Sequence, residues 1–349
     1  MTRVLVVDDS AFMRKAISMM LERHPDIEVV DLARDGHEAL EMVEDYQPDV
    51  VTMDVEMPRM NGLEALRHIM DSDPRPVLMI SSVTQEGAAP TVKAMEAGAI
   101  GFIPKERSNV SLDITNIESE LTEKVLAAAQ CDVQAAYRRT RRRSRPSAGA
   151  LSGLDVDLVA IGVSTGGPFA LQQVIPTLPA DFPVPITIVQ HMPPHFTRSL
   201  SERLNTKSDL QVQEATDGMA IQSGMAVVAP GGHHLAFQGS ARYPRVTTPQ
   251  SPDDTLHRPS VNVMLESATK HFDGRVLAVI MTGMGKDGLD GARHLKKQGG
   301  VVLSQDEETS VVYGMPRAVA NAKLSDRVLP LEDIGPALVD ALGVRPSTA

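Results

Sequence analysis

Short apolar, β-branched runs recur through the first part of the chain, at Val4–Val7, Val29–Asp31, Val50–Met53, Val77–Ile80 and Ile100–Ile103. Between and after them, apolar side chains return every three or four positions, at Ala11–Leu21, His37–Asp45, Leu63–Met70, Ala88–Ala97 and Leu112–Ala129. The runs have the length and composition of buried strands, and the longer stretches have the period of amphipathic helices. A strand that is apolar at successive positions must be covered on both faces. Such strands alternating with helices predict a parallel sheet. The expected N-terminal unit is a doubly wound, five-stranded, flavodoxin-like α/β domain over residues 1–125.

The pattern then breaks. Arg138, Arg139, Arg141, Arg142, Arg143 and Arg145 crowd together and are followed by Pro-Ser-Ala-Gly-Ala-Leu-Ser-Gly. A like-charged run bordered by Pro, Ser and Gly has the composition of a solvated linker, expected over residues 126–153. An α/β pattern resumes over residues 154–346. Strands are expected at Leu158–Val163, Ile186–Gln190, Val276–Ile280 and Val301–Ser304. Helices are expected at Pro168–Ile175, Thr197–Leu204, Ser260–His271 and Asp287–Gln298, with a helical tail after the last strand. From Gln211 to Thr247, turns at Asp217-Gly218, Ser223-Gly224 and Pro230-Gly231-Gly232 punctuate short strands, a β-hairpin region. The second unit is thus a second doubly wound, mostly parallel α/β domain.

Composition narrows the function classes. The chain has 349 residues, with 45 acidic and 34 basic side chains and a net charge of −11. That length fits two domains of roughly 150 residues each. Nucleic-acid binding needs clustered cations, and the only cluster is the arginine run, within an acidic chain that lacks Trp. No nucleic-acid partner is expected. The single cysteine, Cys131, excludes an internal disulfide and a cysteine zinc site. No apolar run approaches the roughly 20 residues that cross a bilayer, and no signal peptide is expected. The expected location is cytoplasmic.

The first unit gathers carboxylates. Asp8 and Asp9 end its first expected strand and Asp54 its third, where doubly wound sheets bind ligands. Three converging carboxylates repel unless a hard cation joins them, and Mg²⁺ suits an oxygen-rich site that also bridges to phosphate. Ser81 and Lys105 end the fourth and fifth strands and bring a hydroxyl and a cation to the same rim. Phosphoryl transfer needs that placement and charge neutralisation. Asp9 alone is equally explained as a helix cap; all five groups at strand ends favour a site. The segments Val6-Val7-Asp8-Asp9-Ser10, Met53-Asp54-Val55-Glu56-Met57-Pro58 and Phe102-Ile103-Pro104-Lys105 resemble the receiver domains of response regulators. The resemblance implies Asp54 as phosphoacceptor, Asp8, Asp9 and Asp54 as Mg²⁺ ligands, and Ser81 and Lys105 as groups that sense the phosphoryl group. Glu106 stands where many receivers have proline.

A helix-turn-helix output would be a short three-helix unit with a basic recognition helix, whereas the second half is a long, glycine-rich α/β region. Its sharpest feature is Gly162-Val163-Ser164-Thr165-Gly166-Gly167-Pro168, a serine between strand and helix in a G-x-S-x-G pattern. The same turn is compatible with phosphate binding, although it lacks the spaced glycines of a dinucleotide fingerprint and the lysine of a P-loop. A nucleophilic serine needs a base, and His191 follows the next strand in Gln190-His191-Met192-Pro193. The base needs an orienting acid, and Asp287 lies beyond another strand in Thr282-Gly283-Met284-Gly285-Lys286-Asp287-Gly288. The chain order Ser–His–Asp differs from that of α/β-hydrolases, but roles define such a site. Backbone N–H groups near Thr165 or Met284 would supply an oxyanion hole. His195 and His257 compete as bases, though neither directly ends a strand. His233 and His234, as adjacent strand residues, would point to opposite faces and read as structural or pocket-lining.

Together with Ala229-Pro230-Gly231-Gly232-His233-His234-Leu235 and His257-Arg258-Pro259-Ser260-Val261, these segments resemble the chemotaxis protein-glutamate methylesterase/protein-glutamine glutaminase family, CheB, over nearly the whole chain. The resemblance implies hydrolysis of glutamate methyl esters on methyl-accepting chemoreceptors, with deamidation of selected glutamines. It implies Ser164 as nucleophile, His191 as proton shuttle, Asp287 as orienting acid and Met284 N–H toward the oxyanion. No metal or cofactor is expected at the hydrolase site; Mg²⁺ belongs to the receiver. A chemotaxis histidine kinase would supply the phosphoryl group, and contact with the membrane would come only through the receptors. Asn262 departs from the aspartate common in the family.

Overall fold

The computed structural model describes residues 1–82, 85–105, 111–131, 133 and 153–343. The chain divides into two compact units, Met1–Arg138 and Arg139–Ala349. The Arg138–Arg145 cluster and Glu106 lie outside the described residues.

The first unit alternates strands β1 (Thr2–Val7), β2 (Ile27–Ala33), β3 (Val50–Asp54), β4 (Val77–Ser82) and β5 (Gly101–Lys105) with helices. The helices are α1 (Ala11–Leu21), α2 (Gly36–Tyr46), α3 (Gly62–Ser72), α4 (Gln85–Glu96) and α5 (Ser111–Ala129). The sheet order is β2-β1-β3-β4-β5 with every pairing parallel. All five residues of β3 are buried, as a strand covered on both faces requires. Ser10 caps α1 by accepting from the Met13 N–H. Asp35 does the same for α2, accepting from the His37 and Glu38 N–H groups. Asn61 and Glu64 form a reciprocal capping box on α3. Helix α5 runs past the boundary expected at 125, because Leu121, Val125 and Ala128, spaced four and three apart, form one buried stripe.

The second unit is built on a seven-stranded sheet of order β14-β13-β12-β6-β7-β9-β8, again with every pairing parallel. Its strands are β6 (Leu158–Val163), β7 (Ile186–Gln190), β8 (Gln211–Glu214), β9 (Met225–Val228), β12 (Val276–Ile280), β13 (Val301–Gln305) and β14 (Arg327–Leu329). The connecting helices are α6 (Gly167–Val174), α7 (Phe196–Lys207), α8 (Val261–His271), α9 (Leu289–Lys297), α10 (Met315–Asn321) and α11 (Leu331–Ala341). Strands β10 (Ala236–Ser240) and β11 (Tyr243–Thr247) form the antiparallel hairpin apart from the main sheet. The first strand, β6, is central. From it the chain first builds one side of the sheet, where β7, β9 and β8 lie in that order outward, then returns to its other side through β12, β13 and β14. That reversal makes the carboxyl end of β6 the topological switch point, where such sheets bind ligands.

Three local expectations change. Ser260 is extended (φ −114°) and precedes α8 as its cap, accepting from the Val263 N–H. Asp287 stands outside α9, because Gly288, at φ +93°, breaks the chain direction before Leu289. His233 and His234 lie in a loop after the Gly231-Gly232 turn, so strand alternation does not govern them.

Candidate active site

Ser164 and His191 each follow the last residue of adjacent strands, since Val163 pairs with Gln190 in the β6–β7 ladder. Parallel strands lie about 4.8 Å apart, so register alone brings the two loops together. Three further bonds fix them. The His191 N–H donates to the Val163 carbonyl (3.2 Å). Buried Gln190 donates from Nε2 to the Ser164 carbonyl (2.9 Å) and to the His191 carbonyl (3.3 Å). The Ser164 N–H donates to the Thr282 carbonyl (3.0 Å), and the Gly167 N–H donates back to the Ser164 carbonyl (2.8 Å). The nucleophile candidate is therefore held from β7, from the β12 loop and from its own helix.

Loop 281–288, after β12, passes over the end of β6 and delivers Asp287 to His191, whose Nε2 lies 2.8 Å from Asp287 Oδ2. Four more donors surround the carboxylate. Val261 N–H reaches Oδ2 at 2.7 Å, while Ser260 Oγ, Asn262 N–H and Gly288 N–H reach Oδ1 at 3.0 Å. Burial pushes this carboxyl up, but the His191 bond and charge and the Val261 and Asn262 amides outweigh it and hold Asp287 at about 2. It is ionised wherever an imidazole titrates, near 6.5 in isolation. An anionic Asp287 can only accept, so His191 carries its proton on Nε2. Its Nδ1, buried with no hydrogen-bond partner among the described residues, is then the free base. Among the described residues no hydrogen bond joins Ser164 Oγ to His191. Catalytic contacts of this kind often tighten only when substrate is bound.

Thr165 and Met284 flank this point on two loops. Their N–H groups have no acceptor among the described residues, the condition an oxyanion hole needs. The Thr165 carbonyl takes the Thr282 hydroxyl (2.9 Å), which tethers the two loops. His195, the other competing histidine, lies at the entry to α7 with φ +73°.

Two histidines that the sequence offered only as a competing base, His257, and as a structural or pocket-lining residue, His234, belong here. His257 stacks on His191, with ring centroids 4.1 Å apart and planes at 24°. His234 is fully buried and bonds to the loop that carries His257. Both fall within the motif segments, but nothing in the sequence signalled these particular contacts. Asn262 accepts with Oδ1 from the Gly288 (3.0 Å) and Gly291 (2.8 Å) N–H groups, so its role is that of an acceptor.

The first unit brings its acids together. One carboxylate oxygen each from Asp8, Asp9 and Asp54 lies within 4.8 Å of the others. Lys105 Nζ sits 2.8 Å from Asp8 Oδ2 and 2.7 Å from Asp54 Oδ2. Burial and Asp8 push Asp54 up and win over the opposing pull of Lys105. Burial lowers Lys105, but its two carboxylates prevail and raise it. An all-oxygen donor set with surplus negative charge fits a hard divalent cation. Ser81 is buried at the end of β4, where its hydroxyl accepts from Thr91 Oγ1 of α4 (2.6 Å).

The response regulator receiver family matches residues 4–114, and the CheB methylesterase family matches residues 159–338. The second match spans the β6–β7–β12 site. The chain belongs to the CheB methylesterase family. A relative in Oleidesulfovibrio alaskensis, a protein-glutamate methylesterase/protein-glutamine glutaminase, is 48% identical over 98% of this chain and 100% of its own length. One of the same description in Pyrococcus horikoshii is 44% identical over 98% of this chain and 94% of its own. The crystal structure of the Thermotoga maritima CheB methylesterase catalytic domain superposes with a TM-score of 0.51 at 43% identity. It covers 53% of this chain and 97% of that one. The second unit is therefore a methylesterase domain and the first a receiver, and a receiver implies Mg²⁺-dependent phosphorylation by a kinase. No helix among the described residues is long and apolar enough to cross a membrane.

Proposed function

We propose that this chain hydrolyses glutamate methyl esters on chemoreceptors, and deamidates selected glutamines there, by a Ser164–His191–Asp287 mechanism gated by phosphorylation at Asp54. The observation that carries the reading is the His191 Nε2–Asp287 Oδ2 bond of 2.8 Å, made by a carboxylate fully engaged with its loop. That bond leaves His191 Nδ1 free for the Ser164 proton.

In the proposed reaction Ser164 Oγ attacks the ester carbonyl carbon and its proton passes to His191 Nδ1. The oxyanion forms against the Thr165 and Met284 N–H groups. On collapse the carbon–methoxy bond breaks, and methoxide takes the proton from His191 and leaves as methanol. With a glutamine, ammonia leaves instead. Water then attacks the acyl-serine, loses a proton to His191, and frees glutamate and Ser164. Asp287 stays ionised throughout and stabilises the imidazolium.

In the receiver, Asp8, Asp9 and Asp54 would hold Mg²⁺, which supplies charge neutralisation during transfer to Asp54. Lys105 would then pair with the new phosphoryl charge, and Ser81 would leave Thr91 to reach it. The functional division is residues 1–125 as receiver, 126–153 as linker and 154–346 as catalytic domain. A switch of this kind works only if the two states differ in free energy with and without the phosphoryl group. On this reading the protein would work in the cytoplasm, meeting membranes through receptors alone.

The test is methanol release from methylated receptor membranes with Mg²⁺, with and without a small phosphodonor. Release that rises with phosphodonor is expected. No release under either condition would contradict the assigned substrate, and release indifferent to phosphodonor would contradict the gating.

A further inference from the structure

We propose that His234 is a positioning residue for the hydrolytic site, a buried latch that holds loop 252–260 in place only as a neutral imidazole with its proton on Nε2. The consequence for turnover rests on the Ser164–His191–Asp287 reading above; the state of the latch itself does not.

The hydrogen bonds dictate the tautomer. His234 Nδ1 lies 3.2 Å from the Ser260 backbone nitrogen, which has a proton to donate, so Nδ1 must carry a lone pair. Nε2 lies 3.0 Å from the Pro252 carbonyl, which can only accept, so Nε2 must carry the proton. The Thr255 hydroxyl, 3.4 Å from Nε2, accommodates either role. One protonation state satisfies both ends. The backbone N–H of His234 also donates to the Pro249 carbonyl at 2.7 Å. A single residue thus ties three points on either side of the loop.

The loop has two outputs, and both reach the site. His257 lies on the His191 ring at 4.1 Å. Ser260, whose N–H is the one His234 accepts, gives its hydroxyl to Asp287 Oδ1 (3.0 Å). It also leads directly into the Val261 and Asn262 amides that hold the carboxylate. Other ties across this loop include the Gly232 N–H to the Arg258 carbonyl (3.1 Å) and an Arg258–Asp253 pair (2.7 Å) whose carboxylate is exposed.

Protonating His234 would set an Nδ1–H against the Ser260 N–H, donor against donor, and that bond would be lost. Burial disfavours the cation first, and Arg258 adds to it; the Pro252 carbonyl, Asp287 and Asp253 pull the other way, and the net effect lowers the His234 pKa. His233 on its own turn and Asp254 and His257 on the loop are further titratable groups of these segments. The latch is closed at neutral pH and opens on acidification.

The experiment begins with long-range ¹H–¹⁵N NMR of the full chain labelled at histidine. At neutral pH, His234 is expected as the Nε2–H tautomer, with the Ser260 amide shifting in step with His234 on acidification. A His234 carrying its proton on Nδ1, or a cation, would overturn the proposal whether or not the protein releases methanol. Turnover is then compared for His234→Phe, which keeps the ring alone, and His234→Asn, which keeps an acceptor for Ser260. His234→Phe is expected to lose about 10–100-fold in kcat, by analogy with the outer partners that orient metal-ligating histidines, with KM little changed. His234→Asn should recover part of the loss. Wild-type kcat and pH profile in His234→Phe would also overturn the latch. Should His234→Phe fail to give a cooperative melt, the tautomer and the His234→Asn profile decide. Inactivity of the wild type itself would count against the hydrolase reading and leave the NMR result standing.

Discussion

Gly283 lies against Ser164 so closely that no side chain fits between them. A Cβ on Gly283 would sit 2.7 Å from Ser164 Cβ and 2.6 Å from Met315 Sδ. The glycine lets the β12 loop cross the end of β6 beside Ser164 and carry Asp287 to His191. Gly283→Ala should therefore cost about 100-fold or more in kcat, the scale of an angstrom-level misplacement. Steady-state methanol release measures it, with circular dichroism confirming the fold. Near-wild-type turnover would mean that the close approach is incidental.

Asp287→Asn keeps the size of the side chain but removes the charge and offers His191 a donor in one orientation. A drop of about 10⁴-fold in kcat is expected, as for triads whose acid is neutralised. The same substitution tests stability. Asp287 is held at about 2, below the roughly 3.9 of an unfolded aspartate, so it stabilises the fold above that value. That contribution is lost as pH falls from about 4 toward 2. Chemical denaturation across this window should show a steeper acid loss in wild type than in Asp287→Asn. Parallel curves would argue against the assigned shift.

Asn262 and aspartate should be interchangeable in one respect. Oδ1 of Asn262 accepts from Gly288 and Gly291 at the start of α9, and a carboxylate accepts equally well there. Asn262→Asp is predicted to stay within a few-fold of wild-type kcat. Asn262→Ala should lose about 1 kcal/mol of stability, typical of a removed cap, and part of its activity through Asp287. Thermal melts and turnover of both variants separate the acceptor role from a charge role.

Lys105 is the only cation within 4 Å of the Asp8 and Asp54 carboxylate oxygens among the described residues. Lys105→Met removes that compensation and leaves buried carboxylates facing one another, so Asp54 should rise further above its ordinary value. Mg²⁺ should then stabilise the variant more than it stabilises wild type, read as a larger Tm shift with added Mg²⁺. Phosphodonor should no longer raise methanol release. Asp54→Asn should likewise lose the phosphodonor response while keeping the basal rate.

Much of this was legible in the sequence because strand register does the positioning. Asp8, Asp54, Lys105, Ser164 and His191 all stand at or just beyond strand ends, and the carboxyl edge of a parallel sheet gathers such residues whatever the intervening chain does. Asp287 was read from the motif in the loop after β12, while its place outside α9 depends on Gly288 and was not legible. His234 and His257 were not legible as partners of the site. Their roles arise from contacts between loops distant in sequence, which no periodicity records. Adjacent histidines in a presumed strand suggested opposite faces, but a turn at Gly231-Gly232 had already removed that constraint. The departure at Asn262 looked like a lost charge and proved to be a retained acceptor.

The central claim is that Ser164 is the nucleophile. It is tested most directly by methanol release from methylated receptor membranes by wild type and Ser164→Ala, both shown to be folded and both supplied with Mg²⁺ and phosphodonor. Release by the wild type and none above background by Ser164→Ala is the predicted result. Equal release by the two proteins would remove Ser164 from the centre of the reaction and contradict the account.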